Sequence, residues 1–589
     1  MTLVARAPLT VEAARVVLRQ RFGFDDLRPA QVRAVQSVLD QRDTLIVLAT
    51  GGGKSICYQL PALLLDGLTV VVSPLIALMR DQVEALERKA IAAAFINSSL
   101  SSAQVSDRMA RAAQGELKLL YLAPERADAG RTIEQLARIG VTLLAVDEAH
   151  CISEWGHDFR PSYRRIGQLR TRLGEPPTVA LTATATPDVR TDIVAQLGLR
   201  DPNVIVAGFD RTNLHYSVRS ERTHRDKDRA LVETLRDRPG VAVVYAPTRK
   251  GTERLASTLT RARIQAVAYH AGLDDIARNQ AQDAFMQERA RVVVATSAFG
   301  MGIDKPDVRT VVHWAMPGTL EAYYQEAGRA GRDGEPAACV LLHSYPDRFT
   351  HEHFIEQAHP PRRLFEQAWR ILKRHADEVG LTTLSPAALT QLLPDDANPR
   401  HVDVVLQQLV RRGLITVIPD SIDRLWVRLL ATPTRITGEL AAERTLERDL
   451  LRAVWRQTRG TVQSGAVVAL DRLPPGLGHP IELRRHLETL EREQFVWTRP
   501  VGSGIAIGAA VLPAESPPLD WRELDARRRH DIDKLDWVQR YAYARTCRRR
   551  FILDYFGDRT STGCSGCDQC DPGAARAASR VRGARARQL

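Results

Sequence analysis

Residues 49–55 read ATGGGKS, and residues 145–150 read AVDEAH. In the first string, Gly51, Gly52 and Gly53 free the backbone to fold its N–H groups around phosphate oxygens. Lys54 can then reach the β and γ phosphates of a nucleotide, and Ser55 can ligate Mg²⁺. The string lacks the first glycine of the fuller G-x-x-x-x-G-K-[ST] form, so a plain glycine-rich turn is the alternative. Its position between an apolar strand and a helix is the one a phosphate loop needs. The second string delivers Asp147 and Glu148 at the end of an apolar run. Asp147 suits a direct or water-mediated Mg²⁺ contact, and Glu148 suits orienting and deprotonating an attacking water. Solvated surface acids are the bland alternative, and the phosphate loop upstream weighs against it.

Three further clusters carry chemistry. Residues 323–334, YYQEAGRAGRDG, hold Arg329 and Arg332, which on one helix would share a face. Guanidinium groups facing a γ-phosphate would stabilise the charge of the transition state. Pairing with Glu321, Glu326 or Asp333 is their other reading. Residues 151–163, CISEWGHDFRPSY, crowd Trp155, His157, Phe159 and Arg160 directly behind the two acids. Aromatic faces stack on bases of any sequence, and arginine adds charge and cation–π contact. Filling a lobe interface is the alternative. Cys547, Cys564, Cys567 and Cys570 form a wide gap followed by two C-x₂-C steps. Four thiolates complete a tetrahedral Zn²⁺ site and leave no open catalytic position. Cys57, Cys151 and Cys339 read as core residues.

These groups need a framework. From Thr44 to about Cys339, β-branched runs such as TLIVLAT (44–50), LTVVVSP (68–74), TVALTAT (178–184), VAVVYAPT (241–248), RVVVATS (291–297) and VRTVVHW (308–314) alternate with helical stretches. Strands spaced by helices give parallel sheets with right-handed crossovers. The pattern restarts after Asn213, which predicts two α/β lobes over 1–212 and 213–348. Between 361 and 512 the pattern changes. VLQQLVRRGLITV (405–417) matches HLETLEREQFVWT (486–498) at a constant offset of 81 residues, Leu406 with Leu487, Leu409 with Leu490, Leu414 with Phe495 and Ile415 with Val496. Each segment reads as a helix, a short strand, a turn (PDS, GSG) and a second strand. That predicts two winged-helix-like α+β units, 361–432 and 443–512, each with its own β-hairpin. Residues 524–573 read as a helical zinc-binding element, and 574–589 as a disordered basic tail.

Composition sets outer bounds. The chain has 589 residues, enough for several domains, and 82 Lys and Arg against 70 Asp and Glu, a surplus that suits a polyanion. No run resembles a signal peptide, and Asp66, Gly67 and Pro74 cut the longest apolar stretch, 61–79, into pieces too short for a membrane span. A cytoplasmic chain without membrane association follows as the expectation. There thiols stay reduced, which favours metal over disulfides for the cysteine cluster.

The ordered segments FGFDDLRPAQ (22–31), TGGGKS (50–55), SPLIALMRDQV (73–83), YLAPER (121–126), DEAHCISEWGHDFRPSY (147–163), LTATAT (181–186), YHAGL (269–273), ATSAFGMGIDKPDVR (295–309) and QEAGRAGRDG (325–334) resemble the RecQ family of superfamily 2 helicases. TCRRRFILDYFGD, which precedes the last three cysteines, resembles the family's zinc element. The resemblance implies two RecA-like lobes, ATP with Mg²⁺, structural Zn²⁺, and 3′→5′ translocation on single-stranded DNA with unwinding of duplex or forked DNA at the nucleoid, in repair or recombination. Repair or replication proteins would be its partners. It assigns Arg28 and Gln31 to adenine, with Phe24 stacking nearby. Thr50 and Gly51 to Ser55 take the phosphates, with Lys54, Asp147, Glu148, His150, Arg329 and Arg332 catalytic. His150, Thr182 and Thr184 couple the lobes, and Trp155, His157, Phe159 and Arg160 sense DNA. In the familiar bacterial order the zinc element closely follows the second lobe. Here 361–512 intervenes, which predicts an inserted arm and a zinc element that packs back on the second lobe. An RNA helicase, or a DNA-annealing protein whose ATPase only switches its grip, are the competing readings.

Overall fold

The computed structural model describes residues 10–571, apart from Thr50, Ala129, His157, 300–304, 378–379, 395–397, 419–423, Arg459, 501–503, Ala509, 559–563 and Ser565. The chain divides into two units, residues 1–351 together with 530–589, and residues 352–529.

The first unit is built on two parallel sheets. Strands β1 (Thr44–Leu48), β2 (Leu68–Val72), β3 (Ala93–Ile96), β4 (Leu119–Leu122), β5 (Val141–Val146), β6 (Thr178–Thr182) and β7 (Asn203–Ala207) form one, in the order β3-β4-β2-β5-β6-β1-β7. Strands β8 (Leu214–Ser220), β9 (Ala242–Tyr245), β10 (Ala266–Tyr269), β11 (Val292–Ala295), β12 (Thr310–His313) and β13 (Ala337–His343) form the other, in the order β10-β11-β9-β12-β13-β8. Both are covered by helices on their faces, so their central strands bury every residue; β1, β2, β9, β11 and β12 are apolar throughout except for a threonine or histidine. The order places the C-terminal ends of β1 and β5 in the same sheet with β6 between them. This carries the phosphate loop and the acid pair to one edge, where α/β sheets bind ligands.

The cysteine-bearing end closes the open edge of the second sheet. Tyr216 of β8 donates its N–H to Gly566 (3.0 Å) and accepts from the N–H of Asp568 (3.0 Å), a bridge opposite Cys567. The Asp568 carboxylate takes the N–H of Val218 (2.9 Å) and the guanidinium of Arg548 (3.0 Å). An otherwise unpaired strand edge is thereby satisfied by the zinc element. Phe556 stacks on Phe209 (4.7 Å), and Tyr541 packs on Tyr323 (5.0 Å).

The second unit departs from the expectation of two hairpins. Strands β14 (Leu381–Thr382), β15 (Ile415–Ile418), β16 (Arg424–Leu429), β17 (Ala466–Ala469), β18 (Val496–Pro500) and β19 (Gly504–Ile507) are present, but β15 does not pair with β16, nor β18 with β19. Instead β15 pairs antiparallel with β19 (Ile415 opposite Ile507, Ile418 opposite Gly504), and β16 with β18 (Leu425 opposite Pro500, Leu429 opposite Val496). The two halves therefore exchange their last strands along one ribbon. The proposed turn residues fall largely in 419–423 and 501–503, outside the described residues. The physical reason lies in burial. Ile505 and Ile507 complete a core with Trp369, Leu406 and Leu409 of the first half, while Leu425 and Val427 complete one with Leu450, Leu483 and Leu487 of the second. A period-two pattern decides which face of a strand is buried and is silent about its partner. The exchange has a direct consequence. A fragment 352–440 lacks β19 and should not fold, whereas 352–529 should melt cooperatively. Far-UV circular dichroism of the two fragments checks this; a folded 352–440 would contradict the exchanged pairing.

Candidate functional site

The phosphate loop follows β1, and Ser55 caps the helix Ile56–Leu64 behind it. Gly51 (φ +79°) and Gly53 (φ +72°) hold left-handed backbone. A Cβ on Gly53 would stand 2.4 Å from Gln31 Nε2, so the loop is closed from outside by that side chain. Gln31 Nε2 donates to the carbonyls of Gly52 (3.1 Å) and Gly53 (3.2 Å), and Arg28 Nη1 donates to Gly51 (3.1 Å). The two residues assigned to adenine thus also brace the loop. Phe24 is exposed beside them in sequence. Lys54 extends to the carbonyl of Leu48 at 3.4 Å. Thr50 lies outside the described residues.

Asp147 and Glu148 leave the end of β5. The backbone of Asp147 is held on both sides, its N–H donated to Val72 (2.9 Å) and its carbonyl accepting from Tyr163 Oη (2.9 Å). Its Oδ1 accepts the N–H of Glu148 (3.0 Å). Glu148 has φ +46°, a left-handed conformation that costs a non-glycine residue of order 1–3 kcal/mol. Glu148 Oε2 sits 3.3 Å from His150 Nδ1, which is also 2.9 Å from Thr182 Oγ1. Thr182 Oγ1 in turn bonds the backbone of Thr184 at 3.2 Å, so these residues form one buried network within the first lobe. Burial, then the neighbouring Glu148 charge, pushes the Asp147 carboxyl up to about 7. Burial lowers the His150 imidazole, but Cys151 and Glu148 outweigh it and carry the ring up to about 10. Crowded, desolvated carboxylates of this kind are the donor set a hard dication would relieve, which fits Mg²⁺ held by Ser55 and Asp147.

The arginines of the second lobe require a correction. The helix Leu320–Ala327 ends before Arg329 and Arg332, so they do not share a helical face. Gly328 caps the helix, and Gly331 takes φ +54° where a Cβ would stand 2.4 Å from Asn213 Nδ2. The glycines of AGRAGRDG stop the helix and place both arginines in the turns that follow. Their suggested acidic partners are engaged elsewhere: Glu326 with His313 (2.8 Å), Asp333 with Arg309, and Glu321 with Lys534 (3.7 Å). Arg211, which the sequence reading missed, holds the turn by donating to the carbonyls of Gly328 (3.2 Å), Ala330 (3.0 Å) and Gly331 (2.8 Å). A Cβ placed on Gly51 would lie 3.7 Å from Arg211 Nη1 and 3.9 Å from Arg332 Cγ. The arginine turn therefore comes up against the phosphate loop. The only sequence signal for Arg211 was its position in FDRTN, where one lobe gives way to the next.

In the aromatic loop, Arg160 Nη1 donates to the carbonyl of Pro74 (2.8 Å) and its other nitrogens to Asp158, while Arg164 lies over Phe159. The Trp155 ring meets the His530 ring edge-on at 5.1 Å. Trp155, Phe159 and Arg160 are all half-buried, and His157 lies outside the described residues.

Cys547, Cys564, Cys567 and Cys570 bring their sulfurs within 4.8 Å of one another, and Cys567 Sγ is 4.0 Å from Cys547 Sγ. Four thiolates about 2.3 Å from one ion would stand a little under 4 Å apart, so the cluster fits Zn²⁺ with only slight contraction. The thiols share their protons unevenly: burial raises Cys567, but the N–H groups of Arg548, Cys570 and Gln569 outweigh it and bring Cys567 down to about 7, whereas Cys564 is pushed up to about 11 and Cys570 is raised as well.

Family profiles match three stretches: DEAD/DEAH box helicase over 28–193, helicase conserved C-terminal domain over 226–334, and RecQ zinc-binding over 515–571. The ATP-dependent DNA helicase RecQ of Bacillus subtilis is 46% identical over 348 residues, 59% of this chain and 58% of that protein. RecQ of Haemophilus influenzae is 40% identical over 60% of this chain and 56% of its own length. The probable ATP-dependent DNA helicase RecS of Bacillus subtilis is 39% identical over 61% of this chain and 72% of its own length. The chain thus spans little more than half the length of the first two of these relatives. A crystal structure of the DUF1998 helicase MrfA bound to DNA and AMPPNP shares the fold, with a TM-score of 0.50 and 19% identity over 59% of this chain and 52% of that one.

Proposed function

The chain belongs to the RecQ family of ATP-dependent DNA helicases, and we propose that it hydrolyses ATP to move 3′→5′ along single-stranded DNA and to unwind duplex or forked DNA. The observation that carries this reading is the approach of the arginine turn to the phosphate loop, Arg332 and Arg211 against Gly51. A nucleotide bound by one lobe is then sensed by the other, which is what converts hydrolysis into movement of two bodies.

In this reading Gln31 and Arg28 recognise the adenine edge, with Phe24 beside it, and Lys54 and the N–H groups of residues 50–53 hold the phosphates. Mg²⁺, when bound by Ser55 and Asp147, neutralises phosphate charge. Glu148 orients the attacking water and accepts its proton. His150, held by Thr182, fixes the Glu148 carboxylate. Arg329, Arg332 and Arg211 face the charge that develops on the γ-phosphate. Trp155, Phe159 and Arg160, with His157, engage the DNA strand. The lobes are 1–212 and 213–348, the zinc element 524–573 is structural, and 361–512 is an inserted arm that contacts duplex. No helix among the described residues is long and apolar enough to cross a membrane. The protein works in the cytoplasm on nucleoid DNA, alongside repair or replication proteins.

Strand displacement tests the reading. A duplex with a 3′ single-stranded tail should separate only with hydrolysable ATP, and one with a 5′ tail should not. Single-stranded DNA should stimulate the ATPase more than RNA of the same length. Displacement without ATP would favour an annealing or binding protein, and stronger stimulation by RNA would favour an RNA helicase.

A further inference from the structure

The helix Trp521–Tyr543 enters the first unit with His530 and Lys534 one turn apart on the same face. Both donate to one acceptor, the backbone carbonyl of Trp155, His530 Nε2 at 3.1 Å and Lys534 Nζ at 2.5 Å. Lys534 is only 4% exposed, and its ammonium also lies 3.7 Å from Glu321 Oε1, itself 2% exposed. Glu321 stands in the first turn of the helix Leu320–Ala327, whose far end runs directly into Arg329 and Arg332. One buried ammonium therefore touches the loop that follows the catalytic acids and the helix that leads into the arginine turn.

The placement is asymmetric in a telling way. Farther along, Tyr541 bonds Tyr323 Oη at 3.1 Å and packs on its ring, so the Lys534 helix is fixed to the Leu320–Ala327 helix of the second lobe. Its contact with Trp155 reaches instead to a half-buried loop of the first lobe. A buried cation must keep its partners close, because desolvation makes an unpaired charge costly. Lys534 holds the neutral carbonyl tightly and the carboxylate loosely. A shift of the loop that withdraws the carbonyl drives the ammonium onto Glu321, and a shift of the Glu321 helix pulls on the loop. The two contacts share one ammonium, so a displacement of either partner changes the pairing of the other.

We propose that Lys534 is a positioning residue that couples the aromatic loop to the arginine turn, so that DNA engaged at Trp155 sets the turn for hydrolysis. The proposal rests on the helicase reading above. It adds a residue of the zinc element to the coupling path, with Glu321 as its second contact.

The experiment uses the full chain and measures ATP turnover without DNA, turnover at saturating single-stranded DNA, and the DNA concentration giving half-stimulation. Lys534→Met keeps the stem and removes the charge. Its basal turnover and its zinc content should match the wild type, while its DNA-stimulated turnover falls about tenfold, a loss within the range that couplings between sites span. Glu321→Gln preserves shape and leaves Lys534 its carbonyl, and it keeps the test decisive if Lys534→Met folds poorly. It should lose stimulation likewise, and the double variant should be no worse than either single one. Lys534→Arg should recover part of the stimulation. Stimulation of Lys534→Met or Glu321→Gln at the wild-type level, an equal loss of basal and stimulated turnover, or additive losses in the double variant would each overturn the proposal. A wild-type protein that DNA does not stimulate at all would instead refute the helicase reading on which it stands.

Discussion

Glu148→Gln is expected to bind ATP as the wild type does and to lose its DNA-stimulated turnover by about 100- to 10,000-fold, the range that general-base removal spans. The amide keeps the size of the carboxylate but cannot take a proton from water. The surrounding geometry should survive, because the left-handed backbone at Glu148 is set by the ends of β5 and the turn after it, not by the carboxylate charge. Asp147 retains its two backbone anchors, Val72 and Tyr163. Lys54→Ala separates binding from turnover from the other direction. It removes the ammonium from the phosphates and should weaken nucleotide affinity together with the rate. Equilibrium binding of a fluorescent ATP analogue, read beside single-turnover hydrolysis, distinguishes the two variants. Normal DNA-stimulated hydrolysis by Glu148→Gln would remove the water-activating role from this residue.

What the sequence revealed follows from where one physical rule acts alone. Parallel strands buried on both faces read as unbroken apolar runs, so TLIVL and LTVVV announce themselves, and a phosphate loop needs glycine and lysine in a fixed order. Four sulfurs at C-x₂-C spacing likewise have few other uses in a reducing compartment. The edge strands Ala93–Ile96 and Ala266–Tyr269 escaped because alanine-rich segments of four residues carry little strand signal. The sequence reading places Arg329 and Arg332 on one helix because arginine is a good helix former, whereas Gly328 ends the helix at Ala327 before either is reached. Arg211 acts through carbonyls more than one hundred residues away in sequence, and no local pattern encodes such a contact. Trp155 was read for its ring, whereas the structure also uses its carbonyl, a group every residue has. The exchanged strands of 352–529 show the same limit. The offset of 81 residues exposed a repeat and its buried positions, but both pairings bury the same faces, and only the cores under Ile507 and Leu425 decide between them.

Cys564→Ser should lower zinc content and melt the C-terminal element before the lobes. Removing one of four thiolates weakens a site whose binding energy, about 10–16 kcal/mol for structural zinc peptides, is folding energy. The structure adds a specific consequence. The loop that carries Cys567 also pairs with Tyr216 and, through Asp568, with Val218, so its loss exposes the β8 edge of the second sheet. An uncovered edge invites aggregation, and the variant should show it on mild heating. Nucleotide binding, which every residue named for it places outside 547–570, should persist while the protein stays soluble. Replacing 361–512 by a short flexible linker should produce the opposite pattern. All four cysteines lie outside the excised stretch, so zinc content should be unchanged and DNA-stimulated ATPase retained. Unwinding of a tailed duplex should fall, because in the proposed reading the arm grips duplex through basic contacts that salt weakens. Metal analysis, ATPase and strand displacement on the same excised protein separate the possibilities. Wild-type unwinding would show that the arm does not act on DNA. Loss of zinc would show that the metal site depends on the arm, and that the cysteines need more than their own sulfurs and the β8 edge to come together.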